Sequence, residues 1–290
     1  MDILKWIVAS LIALAVIYAG LNAFGAWRWK GSTRSLLASL DAGRAAGEVT
    51  RYNLAEIAGL PDPVRRYFGL ALTDGQPIIR SLDLTQNGTF NLSLETPQWK
   101  PFTAEQHVTT NRPGFVWNAR IMMFPGVPIR VVDAYIAGEG LLRPSILGLY
   151  SLGVAQGPGD IAKGELMRYF AEGVWYPTAL LPSQGVVWQA VDDTSAHATM
   201  TDGPTSLTML FRFGADGMVT SIHADARGGM VGKTVLRMPW ECRVSDYRLQ
   251  DGMQVPFAGE VVWHTPQGEK SYYRGAIGQV SYAFADSAPE

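Results

Sequence analysis

The alternation of apolar and polar residues divides the chain into three stretches. From Trp6 to Trp27 there is no charge at all, in the run WIVASLIALAVIYAGLNAFGAW. The run spans about 22 positions, and an apolar helix needs roughly 20 to cross a bilayer's hydrocarbon core. In lipid the backbone must satisfy its own hydrogen bonds, so an inserted run of this length is helical. Trp6 and Trp27 stand at its two ends, where indole rings favour the headgroup layer. The run is apolar on all sides rather than along one stripe, which separates it from a helix packed on a soluble core. It is also longer than the roughly 7–15 residues of a signal h-region, so it reads as a retained anchor. Ala23-Phe24-Gly25 is the competing cleavage site.

The second stretch is short and helical. Ser32 or Thr33 caps a helix running through Ala46, with an apolar stripe at Leu36, Leu37 and Leu40. Asn53 and Glu56 have the spacing of a capping box. Asp62-Pro63 starts another short helix, VRRYFGLAL, which packs Tyr67 and Phe68 on a sheet.

From Ile78 the period changes to two. Ser81-Leu82-Asp83-Leu84-Thr85 alternates, Asn87-Gly88 supplies a hairpin turn, and Phe90, Leu92 and Leu94 alternate again. Further strands are predicted at 98–110, 114–123, 127–138, 141–156, 185–191, 194–201, 205–213, 217–228, 235–249, 253–264 and 270–284. Turn residues such as Pro113-Gly114, Asp202-Gly203, Asp251-Gly252 and Gln267-Gly268 punctuate them. With no helices between the strands of the second half, the sheet is antiparallel and curls. One helix interrupts the pattern at 159–172, capped by Asp160, and covers the open face of the curved sheet. The predicted fold is therefore α+β: a transmembrane helix and short helices, then a large curved antiparallel sheet, a half-open β-barrel with a helical plug. The predicted divisions are an anchor with its flanks at 1–30, juxtamembrane helices at 31–76, the β domain at 77–284 and a disordered tail at 285–290.

Composition narrows the function classes. A net charge of −2 offers no general attraction to nucleic acid. Nine Trp and 31 Gly suit short strands with tight turns better than a helical bundle. The single cysteine, Cys242, excludes an intramolecular disulfide. Arg28, Lys30 and Arg34 follow the apolar run, against Lys5 and the terminal amine before it, so the flanking charges lean towards a cytoplasmic domain.

Chemistry is sparse. His107, His197, His223 and His264 show no metal-ligand spacing, and there is no C-x-x-C. No G-x-S-x-G elbow, phosphate loop or dinucleotide fingerprint occurs. No cofactor, metal or catalytic residue is predicted. The densest polar group is Glu165, Arg168, Tyr169 and Glu172, at helical i, i+3, i+4, i+7 spacing. Its plain reading is a set of surface ion pairs worth at most about 1 kcal/mol. The alternatives are a ligand headgroup contact or acid–base chemistry. Asp133 and Tyr135 share one face of an apolar strand, and Arg120 or Arg130 is the expected partner of the carboxylate. Aromatics including Trp188, Phe211, Trp240, Trp263, Tyr272 and Tyr282 make one sheet face broad and greasy. That face is either a filled core or the lining of an apolar cavity. The candidate ligand-binding residues are thus Asp133, Tyr135, Glu165, Arg168, Tyr169, Glu172, Trp175, Trp188, Trp240 and Trp263.

Four stretches carry a resemblance: Leu60-Pro61-Asp62-Pro63-Val64-Arg65-Arg66-Tyr67-Phe68, Gly164-Glu165-Leu166-Met167-Arg168-Tyr169, Trp175-Tyr176-Pro177-Thr178-Ala179-Leu180-Leu181-Pro182 and Met238-Pro239-Trp240. Through them the chain resembles a bacterial family of unknown function over about residues 55–284. The order of strands, helical plug and more strands is also similar to the incomplete barrels of bacterial lipoprotein carriers. That likeness implies a concave apolar face for an acyl chain and leans towards an extracytoplasmic domain. The chain departs from soluble carriers in its anchor.

The expectation is a single-pass membrane-anchored module that binds a lipid or other apolar ligand, with the membrane as partner and no nucleic acid. A structural or interaction subunit of an envelope complex is the main alternative. An enzyme acting on membrane-derived substrates comes third.

Overall fold

The computed structural model describes residues 2–44, 50–93, 95–124, 126–231 and 234–285. The apolar run and the segment after it form one continuous helix, α1 (Asp2–Ala42), rather than an anchor followed by a separate helix. Neither Ser32 nor Thr33 caps anything. Thr33 donates back to the Trp29 carbonyl at 3.0 Å, and Ser32 accepts from Arg143 at 2.6 Å. The reason is tertiary: Trp29, Leu36, Leu37 and Leu40 pack on the sheet, so burial carries the helix through the capping residues. The expected end of that segment, Ala46, lies outside the described residues.

After the Asn53–Glu56 capping box, α2 (Asp62–Ala71) buries Val64, Tyr67 and Phe68 completely. The sheet then unrolls as a meander from its middle. β1 (Ile79–Asn91), β2 (Trp99–Thr109), β3 (Gly114–Phe124), β4 (Val127–Ile136) and β5 (Glu139–Ile146) step outward, and the short β6 (Tyr150–Ser151) and β7 (Ala155–Gly157) both pair with β5. The chain crosses the concave face as α3 (Asp160–Ala171) and three single helical turns up to Gln184. It re-enters the sheet at the opposite edge. β8 (Val187–Asp192), β9 (Ser195–Asp202), β10 (Thr205–Phe213), β11 (Val219–Val231), β12 (Thr234–Gln250), β13 (Met253–Thr265) and β14 (Gly268–Phe284) step back inward until β14 lies against β1. All pairings are antiparallel, and the 14-stranded sheet does not close into a barrel.

Three local expectations change. Asn87-Gly88 is no turn: it runs straight through the middle of β1. A Cβ on Gly88 would lie 2.0 Å from the Arg274 carbonyl oxygen, so this glycine permits the close approach of β1 and β14. The predicted strand over 141–156 breaks into β5, β6 and β7, because Leu147 and Gly148 adopt positive φ (55° and 77°) and turn the chain. Asp160 is not the cap of α3. Gly159 occupies that position at φ 84°, and Asp160 pairs with Arg237 at 2.6 Å. The expected tail lies outside the described residues from 286 onward, as does Leu94.

The sheet separates two apolar layers. The concave layer joins α2, α3 and the turns after it to residues such as Phe115, Trp117, Phe211 and Trp240. The convex layer is smaller and seats Trp29 and Leu40 of α1 on Val116, Val132, Ala134 and Leu141. The first part of α1 packs on nothing, and its most apolar stretch is wholly unburied. It is long and apolar enough to cross a membrane.

Candidate functional site

The polar residues expected on the surface of α3 are instead in the core. Glu165 and Glu172 are 4% and 7% exposed, because the helix lies across the concave face with this side towards the sheet. Arg168 donates to Asp133 of β4 and, at 2.7 Å, to Glu172. Gln106 of β2 donates to the other Glu172 oxygen at 2.6 Å. The Arg168 guanidinium stacks over Phe115 and Trp117 at 4.9 and 4.8 Å. Asp133 therefore finds its partner on α3, and neither Arg120 nor Arg130 serves. Arg120 and Arg130 face each other across β3 and β4 on alternating positions that point to the other side of the sheet. Arg227 of β11 lies 3.8 Å from Glu165 and over the Trp240 ring at 4.7 Å.

Three carboxyls thus meet two guanidiniums in a dry place. Burial, and then the neighbouring Asp133, push the Glu165 carboxyl well above the usual glutamate range. Asp133 Oδ1 and Glu165 Oε2 both lack a donor. A proton on Glu165 would supply the donor that Asp133 Oδ1 lacks. Burial opposes the charge on Arg168, but Glu172 and Asp133 outweigh it and raise its pKa. The arrangement ties the plug to the sheet. Tyr135 completes it at one side by donating to Asp202 at 2.8 Å, which Arg112 also meets at 3.2 Å.

The aromatic candidates are buried as well. The Trp188 indole donates to the Leu180 carbonyl at 3.0 Å, and the Trp240 indole to the Tyr272 hydroxyl at 3.0 Å. Trp263 stacks on Tyr272 at 5.9 Å, and Tyr169 packs on Tyr176 at 5.3 Å. Trp175 differs from the rest. Its indole N–H is buried without a partner, and it stands where the sheet comes apart.

That opening was not legible in the sequence. β13 and β14 pair from Ala258–Ala276 to Thr265–Gly268. Before that point on β13, Met253–Pro256 pairs with β12 alone; beyond it on β14, Ile277–Phe284 pairs with β1 alone. A bulge lies at the parting. Two residues of β14, Gly278 and Gln279, oppose the single Thr85 of β1, whose hydroxyl accepts from the Gln279 N–H at 3.0 Å. Into this fork runs a cavity of about 690 Å³. Its outer wall includes Thr33 and Leu37 of α1, and its floor includes Asp83, Glu105 and His107. His107 Nδ1 lies 2.7 Å from Asp83, and its Nε2 lies 3.2 Å from Arg44 just past α1. The apolar end is formed by Leu84, Phe257 and Val280. The same three residues line a small inner space with Trp175, Val255, Ile277 and Tyr282. The site is thus graded, polar outside and apolar inside, with a volume suited to a small amphiphile.

A second polar cluster lies on the convex side of β12–β14. Glu241, His264 and Glu269 bring ligand atoms within 4.8 Å of one another. Arg243 already occupies the space between them, donating to Glu241 at 2.9 Å and Glu269 at 2.6 Å. The donor set is that of an ion-pair network rather than a metal cage.

The fold and site define a plugged, open antiparallel half-barrel with an apolar N-terminal helix. The chain belongs to the family of unknown function DUF6920, which matches residues 58–282. Among solved structures it is similar to a LolA-superfamily protein from Nitrosomonas europaea, with 9% identity over 78% of this chain and 93% of that one and a TM-score of 0.38. It is also similar to a beta-barrel-like protein of the domain of unknown function DUF1849 from Brucella abortus, with 10% identity over 71% and 99% and a TM-score of 0.22. Both likenesses are of fold alone. No curated protein matches the chain.

Proposed function

We propose that this protein is a single-pass membrane-anchored module that binds an amphiphile, a lipid or another apolar ligand. Its tail enters the fork between β13 and β14, and its polar end rests in the groove beside α1. The observation that carries the reading is the parting of the two strands around Leu84, Phe257 and Val280, which gives a polar groove of about 690 Å³ an apolar end. The Trp175 ring lines the small space beyond that apolar end, where the tail would meet it. The wall formed by Thr33 and Leu37 lies on the same helix as the apolar run, so the groove opens along the route from the membrane. In this reading Trp175 touches the ligand. The other expected residues, Asp133, Tyr135, Glu165, Arg168, Tyr169, Glu172, Trp188, Trp240 and Trp263, hold the plug that shapes the fork from inside.

The test is equilibrium binding of a fluorescent fatty acid to the full chain in non-fluorescent detergent. Val280→Trp fills the fork and abolishes binding, whereas Val191→Trp, on the exposed edge strand β8, leaves it intact. Equal binding by both variants overturns the assignment. A second reading, a structural or interaction subunit of an envelope complex, is favoured by how completely α3 and its ion pairs fill the concave face. It predicts no saturable binding by the parent protein.

A further inference from the structure

The length of α1 and the place where the sheet meets it constrain the height of the domain. Tyr18 donates from its hydroxyl to the Gly126 carbonyl in the turn between β3 and β4. Seven residues on, Gly25 touches the turn between β5 and β6. A Cβ on Gly25 would lie 2.1 Å from the Leu147 carbonyl oxygen, and one on Gly148 would lie 2.8 Å from the Gly25 carbonyl oxygen. Two strand turns therefore lie alongside the apolar run itself. At 1.5 Å per residue, Tyr18 is about 13 Å below Trp27 along the helix axis. A span that stopped short of both turns would keep only Trp6–Ile17 of the uncharged run, about 18 Å, against a hydrocarbon core of about 30 Å. The helix spans the core only if the turns share it.

Their composition fits that position. The sequence carries no charge from Ile121 to Pro128, nor from Pro144 to Gly159. Phe124 and Tyr150, on the turn side of the arginines, leave 65% and 69% of their surface exposed. Further up the same strands the outward positions turn basic. Arg120 and Arg130 sit directly opposite each other, and Arg143 lies over Trp29 at 5.2 Å. Like charges directly opposed across a strand pair are unfavourable in water and are relieved by an anion between them. Lys100 lies with its ammonium over the Phe124 ring at 5.6 Å, in the manner of a side chain reaching up from lipid. Apolar tips with a basic band above them match acyl chains with anionic headgroups above them.

We propose that the β3–β4 and β5–β6 turns dip into the acyl region of the leaflet from which α1 emerges, with Arg120 and Arg130 at the level of the lipid phosphates. This rests on the reading of α1 as a membrane span. The domain is then held by two contacts rather than by a tether, and the groove beside α1 has a fixed height above the bilayer.

Depth-dependent quenching tests it. The full chain is reconstituted in phosphatidylcholine–phosphatidylglycerol vesicles carrying brominated acyl chains. One fluorophore is placed at a time on Ile12→Cys, Phe124→Cys, Tyr150→Cys or Leu249→Cys; the native Cys242 is buried. The expected result is quenching at Phe124 and Tyr150 as well as at Ile12, and none at Leu249. Quenching at Ile12 alone overturns the proposal and leaves the anchor standing. No quenching at Ile12 overturns both. Arg120→Glu with Arg130→Glu reduces the quenching at Phe124 in anionic vesicles; an unchanged signal overturns the assignment of the two arginines.

Discussion

Replacing Arg168 with methionine removes the tie between plug and sheet while refilling much of its volume. Asp133 and Glu172 then remain in the core without their counter-ion, and Gln106 is left as a donor to Glu172. Breaking a buried ion pair from one side costs about 3–5 kcal/mol. The side chains here are 9–14% exposed, which places the loss near the lower end, about 3 kcal/mol. The stacking over Phe115 and Trp117 adds up to about 1 kcal/mol. Such a loss is a large share of a domain stability of about 5–15 kcal/mol. Urea unfolding of the full chain in nanodiscs, followed by tryptophan fluorescence, measures it. Adding Asp133→Asn and Glu172→Gln to Arg168→Met neutralises the stranded charges, so most of the loss returns. A loss below about 1 kcal/mol, within the range of an exposed ion pair, refutes the reasoning. So does a triple variant no more stable than the single one.

Other consequences follow from neighbouring positions. Because Glu165 titrates above its ordinary value of 4.5 in the folded protein, the folded state holds a proton that the unfolded state releases. Its stabilising share is whole below about 4.5 and is lost as pH rises through the folded value. Glu165→Gln keeps a donor for Asp133 at every pH, so its urea midpoint relative to the parent improves as pH rises above 4.5. A pH-independent difference would falsify the raised Glu165 pKa. Gly140→Ala places a Cβ 2.8 Å from the Ala162 nitrogen and the Ile161 carbonyl carbon in α3, and costs about 1–3 kcal/mol in the same assay. Gly69→Ala meets nothing within 4 Å in α2 and gains about 0.5 kcal/mol; equal effects at the two glycines contradict the packing described.

Local pattern made much of this fold legible. The apolar run, the helix at 159–172 and the strand at 205–213 follow from hydrophobic period alone, and the Asn53–Glu56 box from two residues. What the sequence hid depends on contacts far apart in the chain. Gly88 looks like a turn residue because turns and close strand approaches select glycine for related reasons. Only the pairing of β1 with β14 tells them apart. Glu165, Arg168 and Glu172 have the spacing of exposed ion pairs, and nothing local reveals that Asp133 and Gln106 wait opposite them. The fork is the most hidden feature. It coincides with one extra residue in β14, where Gly278 and Gln279 together oppose Thr85, a register change visible only once both strands are placed. Trp175 was legible as an aromatic candidate, but its unpartnered indole was not.

The assignment of the fork is tested most directly by photocrosslinking. The full chain is reconstituted with a phospholipid carrying a diazirine at the end of one acyl chain, irradiated and mapped by peptide mass spectrometry. Adducts on Val255, Phe257, Ile277, Val280 or Tyr282, suppressed by Val280→Trp, are the predicted result. Adducts confined to α1 and the two strand turns beside it, with the fork unmarked, would contradict it.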